Sequence, residues 1–216
     1  MLQLFIPIQD LGNGQSSLNR ARTRLERTRS PGLREKSRPV KTGTPTDSTQ
    51  LKMTILPDIL APNLDIVFCG TAVSNVSAQR GAYYAGPGNM FWPTLYAVGL
   101  TSRQLQPEEH REVLEFGLGL TDLVKVVSGV DAQLSNEHFD RDRLRATIQE
   151  YQPKIVAFTS KRAGSEFLDR GVRYGLQPET VGSTALFVLP SPSGAARRWW
   201  NQGQWQELAR LRDELK

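Results

Sequence analysis

A chain of 216 residues, of which 38% are hydrophobic and 8% aromatic, is long enough for one domain with a buried core and a tail. Its apolar runs fall well short of the roughly 20 residues that span a bilayer, and no basic residues precede the apolar start, so we expect no membrane span and no signal peptide. The single cysteine, Cys69, excludes an internal disulfide and a cysteine-ligated zinc or iron–sulfur site. With only two histidines, we expect no metal site and a reducing, cytoplasmic compartment of the bacterial type.

The net charge of +5 comes from the N-terminal segment. Residues 1–50 hold nine Lys or Arg and four acidic residues, which leaves eighteen of each sign in residues 51–216. Because residues 13–50 are rich in Arg, Ser, Thr, Pro and Gly, they bury too little apolar surface to fold alone. We therefore expect a disordered basic arm over residues 1–52 and a single domain over residues 53–216. The arm either adds salt-dependent affinity for phosphate backbones or is an extension without a role.

The elements that follow alternate between strands and helices. Short apolar, β-branched runs bounded by turn residues predict strands at residues 64–70, 154–160 and 185–191. Helical patterns lie at residues 89–100, 107–117, 140–151 and 204–216. Asn89 is a plausible N-cap of the first of these helices. This alternation predicts an α/β fold with a mainly parallel sheet.

Ligands of such sheets bind beyond the carboxyl ends of the strands. The rule selects the loop after the first strand (residues 70–92), the loop at residues 160–163 and the last loop (residues 191–198). A fourth candidate is the segment 117–125, where an apolar stretch runs directly into Thr121 and Asp122. We expect the functional site to be built from these four segments.

The loop after the first strand is rich in small and polar residues. Gly70 is followed by neither a dinucleotide-binding nor a P-loop pattern, so a nucleotide cofactor is poorly supported. Ser74 and Ser77 lack the G-x-S-x-G context and a nearby histidine, so loop hydrogen bonding is favoured over a nucleophilic serine. Tyr83 and Tyr84 either stack on a planar ligand or pack against the next helix, and stacking is favoured for Tyr84.

Two further features leave alternatives open. Asp122 is expected near the core, where it could act as a general base or stabilise a cation, or else cap the segment that begins at Leu123. The last loop, LPSPSGAARRWW, combines a rigid turn with Arg197 and Arg198. These arginines either meet a phosphate or belong to a solvated loop.

Read together, six ordered blocks resemble the mismatch-specific uracil/thymine DNA glycosylases of the uracil-DNA glycosylase superfamily. They run from about Ile59 to the C-terminus and read DILAPNLDIVFCG, SAQRGAYYAGPGNMFW, GLTSRQLQPEE, GLGLTDLVK, YQPKIVAFTSKRA and VLPSPSG. The resemblance implies a three-layer α/β sandwich with a central four-stranded, mainly parallel sheet flanked by helices. It also implies that DNA crosses the strand ends, that the target base is flipped into a pocket, and that no metal or cofactor takes part.

The first loop departs from the usual family pattern. The family has Gly-Ile-Asn-Pro-Gly, whose asparagine positions the attacking water, whereas this chain has Ala72 in that place. It resembles a subgroup with a Gly-Thr-Ala first loop and a carboxylate in the GLGLTD block, which Asp122 matches. The resemblance therefore implies that Asp122 is the catalytic residue. The implied base pocket, with Tyr84 stacking on uracil and Ser77 and Ala78 near its C5 edge, comprises Gly70, Thr71, Ala72, Ser77, Ala78 and Tyr84.

The last loop also departs from the family, which has Leu-Pro-Asn-Pro-Ser-Gly followed by a leucine that enters the DNA. Ser191 replaces the asparagine and Ala195 replaces the leucine, so either base extrusion is weaker or an arginine fills the gap. The implied DNA-binding residues are Lys161, Ser191, Ser193, Gly194, Ala195, Arg197 and Arg198.

The function expected from this resemblance is a monofunctional glycosylase that removes uracil from DNA, preferably opposite guanine, as part of base excision repair. We expect a monomer that acts on double-stranded DNA and on single strands as well. The alternatives are a weakly active or non-catalytic binder of uracil-containing or abasic DNA, and a small α/β enzyme that acts on a free nucleoside.

Overall fold

The computed structural model describes residues 54–129 and 131–215, so the expected arm at residues 1–52 lies outside the described residues. The described part of the chain contains the strands β1 (Ile66–Ala72), β2 (Leu118–Val124), β3 (Ile155–Phe158), β4 (Gly175–Val181) and β5 (Thr184–Val188). They form a five-stranded sheet in the order β2-β1-β3-β5-β4. Strand β1 pairs in parallel with β2 and β3, and β3 pairs in parallel with β5.

The predicted α/β fold with a mainly parallel sheet is confirmed, with one additional strand. Strands β1, β3 and β5 are those predicted from the apolar runs, and β2 lies in the segment 117–125 selected as part of the site. Strand β4 adds an antiparallel edge beside β5. Sequence reasoning missed β4 because its residues alternate between buried and exposed positions. Such alternation is typical of an antiparallel edge strand and lacks the continuous apolar run of the central strands.

Helices cover both faces of the sheet. Among the described residues, the α-helices are α1 (Asn75–Arg80), α2 (Phe91–Ala97), α3 (Arg141–Tyr151), α4 (Lys161–Leu168) and α5 (Gly203–Glu214). The 3-10 helices are Pro107–Phe116, Asp131–Gln133, Asn136–His138 and Gly194–Trp199. The helix expected at 107–117 is thus a 3-10 helix. Helix α2 begins two residues after Asn89, whose Oδ1 accepts the backbone N–H of Phe91 at 2.9 Å.

The two faces of β1 enter separate apolar layers because successive side chains of a strand point to opposite sides. On one face, Phe68 stacks on Trp205 of α5 with ring centroids 5.8 Å apart. On the other face, Val67 and Cys69 pack with residues of α3 and α4, such as Phe167. Full burial of each large apolar side chain contributes about 2 kcal/mol, so both layers hold the sheet in place.

Strand β2 lies at one edge of the sheet, where the segment before β1 covers it. Ile59 and Leu120 exchange two backbone hydrogen bonds of 2.9 Å in an antiparallel bridge. Because β1, β2 and β3 are parallel neighbours, their carboxyl ends lie at the same end of the sheet. In the described ranges, the helices are all too short or too polar to cross a bilayer.

Candidate active site

A cavity of about 530 Å³ opens at the carboxyl ends of β1 and β2. Its volume is within the range of small-molecule binding sites. Each of the four segments selected from the sequence contributes residues to its wall. The predicted site residues that line it are Gly70, Thr71, Ala72, Ser77, Tyr84, Asp122, Ser191, Ser193 and Ala195.

Asp122 lies in this cavity with its carboxyl group almost completely buried. It belongs to the interior of β2, where it is the register partner of Gly70, so it does not cap a following segment. The residue is only 3% exposed, and its Oδ2 has no hydrogen-bond partner among the described residues. Gly70 makes room for it, because a Cβ at that position would overlap Oδ1 of Asp122. An unpartnered carboxylate oxygen in a cavity wall is suited to bind a ligand or a water molecule.

Burial raises the pKa of Asp122 to about 6. The ammonium of Lys125 opposes this rise and the carboxylate of Asp58 adds to it, while the Tyr83 hydroxyl and Arg143 lower the pKa. A carboxyl group with a pKa about 6 is mostly ionised at neutral pH and still basic enough to accept a proton. This is the range in which a general base works best.

Tyr84 presents an aromatic ring to the same cavity. Its backbone is left-handed, with φ of 53°, a conformation that residues with side chains adopt rarely. The ring stacks on Phe91 with centroids 3.8 Å apart and planes 12° apart. Its hydroxyl lies 3.3 Å from Oγ1 of Thr159, and burial holds the pKa of the phenol well above its usual range. The ring is therefore neutral and fixed in position, as a stacking platform requires.

Tyr83 packs in the core against the next helix, which is the second of the two roles considered for it. It is 2% exposed and belongs to the apolar core, and its backbone carbonyl accepts the indole N–H of Trp92 at 3.1 Å. Both tyrosines contribute to the cavity wall, but Tyr83 is held in the core and anchors the loop to α2, whereas Tyr84 is less buried and stacks on Phe91.

The serines of the first loop hold the backbone in place. The Ser77 hydroxyl oxygen accepts hydrogen bonds from the Ala85 backbone N–H and from the Ser74 hydroxyl, both at 3.0 Å. Ser74 in turn accepts the Ser77 backbone N–H at 3.2 Å and caps α1. These contacts agree with loop hydrogen bonding and use the oxygen lone pairs that a nucleophilic serine would need free.

Some predicted site residues lie outside the cavity wall. Ala78 packs against the apolar core, so its side chain does not reach the cavity. Lys161 is exposed at the start of α4, with Nζ 4.4 Å from the centroid of the Tyr174 ring. Of the last loop, Gly194, Arg197 and Arg198 flank the cavity without lining it.

Sequence reasoning missed other residues of the wall, notably Trp199 and Asn89. Trp199 is 65% exposed and lines the cavity, and the guanidinium of Arg198 lies 4.6 Å from its ring. The neighbouring Trp200 packs on Trp205 instead, and the letters WW do not reveal which ring faces outward. Asn89 lines the cavity too, and since its Oδ1 is bonded to Phe91, its amide nitrogen is left for a ligand.

The sequence and the fold are similar to those of known proteins. The sequence model of the Uracil DNA glycosylase superfamily matches residues 57–214, so the chain belongs to that superfamily. The fold is similar to the solution NMR structure of a protein from Methanosarcina acetivorans that is named only provisionally as a uracil DNA glycosylase. That similarity has a TM-score of 0.55 and 24% sequence identity, and it covers 73% of this chain and 96% of the other.

Proposed function

We propose that this protein is a DNA glycosylase that removes uracil from DNA, preferably opposite guanine, and leaves an abasic site. Membership of the uracil DNA glycosylase superfamily supports a glycosylase role. The observation that carries the proposal is Asp122, a buried carboxyl group with an unpartnered oxygen in a cavity that also contains the Tyr84 ring. This arrangement suits a planar base whose sugar carbon lies near a carboxylate.

The chemistry follows from the position and pKa of Asp122. Its ionised carboxylate orients a water molecule toward the anomeric carbon and accepts a proton as the oxygen–carbon bond forms. The N-glycosidic bond breaks and its electron pair leaves with the uracil. Positive charge that develops on the sugar in the transition state is stabilised by the same carboxylate. The reaction as written consumes one water molecule and uses no cofactor.

The base itself is held by the loop after β1. Tyr84 stacks on one face of the uracil, and the backbone amides near Thr71 and Ala72 hold its polar edge as negative charge develops on the base. The amide nitrogen of Asn89 supplies a further donor for a carbonyl oxygen of the base. Ser77, whose hydroxyl is engaged within the loop, lies near the C5 edge, where a thymine methyl would have to fit.

DNA is held by the last loop and the residues beside it. Ser191, Ser193 and Ala195 form the nearby cavity wall, and the arginines that follow meet phosphates. The methyl group of Ala195 is too small to fill the gap that an extruded nucleotide leaves. Trp199 has the required size and exposure, so we assign the stacking contact with DNA to this ring.

A direct test incubates the full chain with an end-labelled duplex containing a single U:G pair and then adds alkali. Strand scission at the uracil position is the expected result, because alkali cleaves at abasic sites. A shifted but uncut band would show that the protein binds uracil-containing DNA without cleaving it. This is the main competing function, because Ala72 replaces the asparagine and Ala195 the leucine of the family pattern. If the duplex shows no scission and no shifted band, the DNA proposal is refuted. Release of uracil from free deoxyuridine would then identify a nucleoside enzyme.

A further inference from the structure

A network of charged side chains surrounds the strand that carries Asp122. Its centre is Asp58, in the segment that covers the edge of β2. Asp58 Oδ1 accepts hydrogen bonds from Lys125 Nζ at 2.6 Å and from the Thr121 hydroxyl at 2.7 Å. Asp58 Oδ2 accepts one from Arg143 Nη1 at 3.1 Å. The network therefore links the covering segment, β2 and α3 around the candidate catalytic residue.

Lys125 is the buried cation of this network. Its side chain is 7% exposed, and its Nζ also donates to the hydroxyl of Tyr83 at 3.0 Å. A buried ammonium is costly unless anionic and polar partners surround it. Lys125 and Arg143 both form ion pairs with Asp58, and Arg143 also donates to the backbone carbonyl of Asp122. The charges of both cations lower the pKa of the Asp122 carboxyl group. The positive charge of the group thus balances both carboxylates when both are ionised.

The Cys69 thiol and the Tyr83 and Tyr84 phenols near Asp122 carry no charge in the working pH range. Burial raises the pKa of the Cys69 thiol on β1, and it likewise raises the pKa values of the Tyr83 and Tyr84 phenols in the first loop. His110 reaches this region only behind Tyr83, with ring centroids 6.0 Å apart. Among the described residues, the charges that chiefly shift the pKa of Asp122 are those of Lys125, Asp58 and Arg143.

We propose that Lys125 and Asp58 are positioning residues that set the charge of Asp122. Lys125 stabilises the ionised carboxylate from within the core, whereas Asp58 binds the same ammonium and limits that stabilisation. Neither residue lines the cavity, so each acts through Asp122 and not on a ligand. The importance of this charge for catalysis rests on the proposed glycosylase function, but the charge itself is measurable without substrate.

The proposal predicts titration shifts of opposite sign. Lys125→Met removes the stabilising cation, so the titration midpoint of Asp122 rises by about one pH unit or more. Asp58→Asn keeps the side-chain shape but removes the competing carboxylate, so the midpoint falls. Lys125→Arg retains the charge and restores a midpoint near that of the unaltered protein. A purely structural role for the network would not produce shifts in both directions.

The measurement is a ¹³C NMR titration of the Asp122 carboxyl group in the full chain, assigned with Asp122→Asn. The matched control is Lys154→Met, because Lys154 forms a similar pair with Asp65 (2.9 Å) at the amino ends of the strands, away from Asp122. This control should leave the Asp122 midpoint unchanged. Unmoved midpoints in Lys125→Met and Asp58→Asn, or shifts of the same sign, would overturn the proposal. If Lys125→Met does not fold, the direction of the Asp58→Asn shift decides.

The outcome is separable from that of the glycosylase proposal. If the midpoints shift as expected but the protein releases no uracil, the charge network stands and the glycosylase proposal fails. If the protein cleaves uracil-containing DNA but the midpoints do not move, the glycosylase proposal stands and the positioning role of Lys125 and Asp58 fails.

Discussion

Gly70 and Asp122 are register partners on adjacent parallel strands, and the missing side chain of the first makes room for the carboxyl group of the second. Gly70→Ala would force the Asp122 side chain to move, because the added methyl group overlaps Oδ1. We expect a loss of about 1–3 kcal/mol in the free energy of unfolding from overpacking, and a larger loss of cleavage activity. Urea denaturation and single-turnover cleavage of a U:G duplex measure the two effects.

Gly86→Ala is the matched control for this substitution. A Cβ at Gly86 would meet no atom within 4 Å, so stability and activity should stay close to those of the unaltered protein. Equal behaviour of the two alanine variants would contradict the role assigned to the Gly70–Asp122 contact.

The pH dependence of cleavage should follow the ionisation of Asp122. Because the ionised form acts, the single-turnover rate rises with pH through about 6 and reaches a plateau above it. At pH 5 about one tenth of the groups are ionised, so the rate should be roughly tenfold below the plateau. The measurement is the rate from pH 5 to pH 8 with saturating enzyme. A rate that falls as pH rises through this range would mean that the protonated carboxyl group acts instead.

Asp122 should lower the stability of the fold at neutral pH. Its pKa is about 6 in the folded chain and close to its usual value of 3.8 when unfolded, so the folded state holds the proton more tightly. The contribution of Asp122 to stability is therefore greatest at low pH and declines as pH rises from about 4 to 6. The change in unfolding free energy caused by Asp122→Asn should therefore be more favourable at pH 8 than at pH 4, by roughly 2 kcal/mol. Urea unfolding at both pH values measures this, and no gain between them would contradict it.

Trp199 should matter for duplex DNA more than for single strands. Base stacking on an aromatic ring contributes roughly 1–3 kcal/mol, so Trp199→Ala should slow cleavage of a U:G duplex about tenfold or more. In a single strand no helix has to be opened, so the rate should change little. Tyr96→Ala is the control, because Tyr96 is 51% exposed on α2 but does not line the cavity. If both variants lose duplex cleavage equally, the assignment of Trp199 is wrong.

The central strands and the position of Asp122 could be predicted because both depend on local patterns. Continuous apolar runs are typical of strands buried on both faces. The apolar run before Asp122 predicts that this residue lies near the core, even though the residues it contacts are not known from the sequence. The rule for parallel sheets then brings the strand ends together. Its role as the catalytic residue came from the resemblance and stays a prediction.

The features of the site that could not be predicted from the sequence depend on contacts between residues far apart in the chain. Lys125 and Asp58 are 67 positions apart in the chain, and each taken alone is an ordinary charged residue. The choice between Trp199 and Trp200 depends on which ring reaches Trp205, which no local pattern encodes. Ala78 lies one residue from Ser77 in a short helix, and the turn of that helix points it to the core.

The catalytic role of Asp122 is tested most directly by comparing Asp122→Asn with the unaltered protein in single-turnover cleavage of a U:G duplex at pH 8. The substitution keeps the shape of the side chain and removes its charge, so DNA binding should remain measurable by gel shift. If Asp122 is the general base, the cleavage rate of the variant falls at least about 100-fold, which is the lower end of what a general base contributes. A variant that binds the duplex and cleaves it at nearly the unaltered rate would contradict the assignment of Asp122 as the catalytic residue.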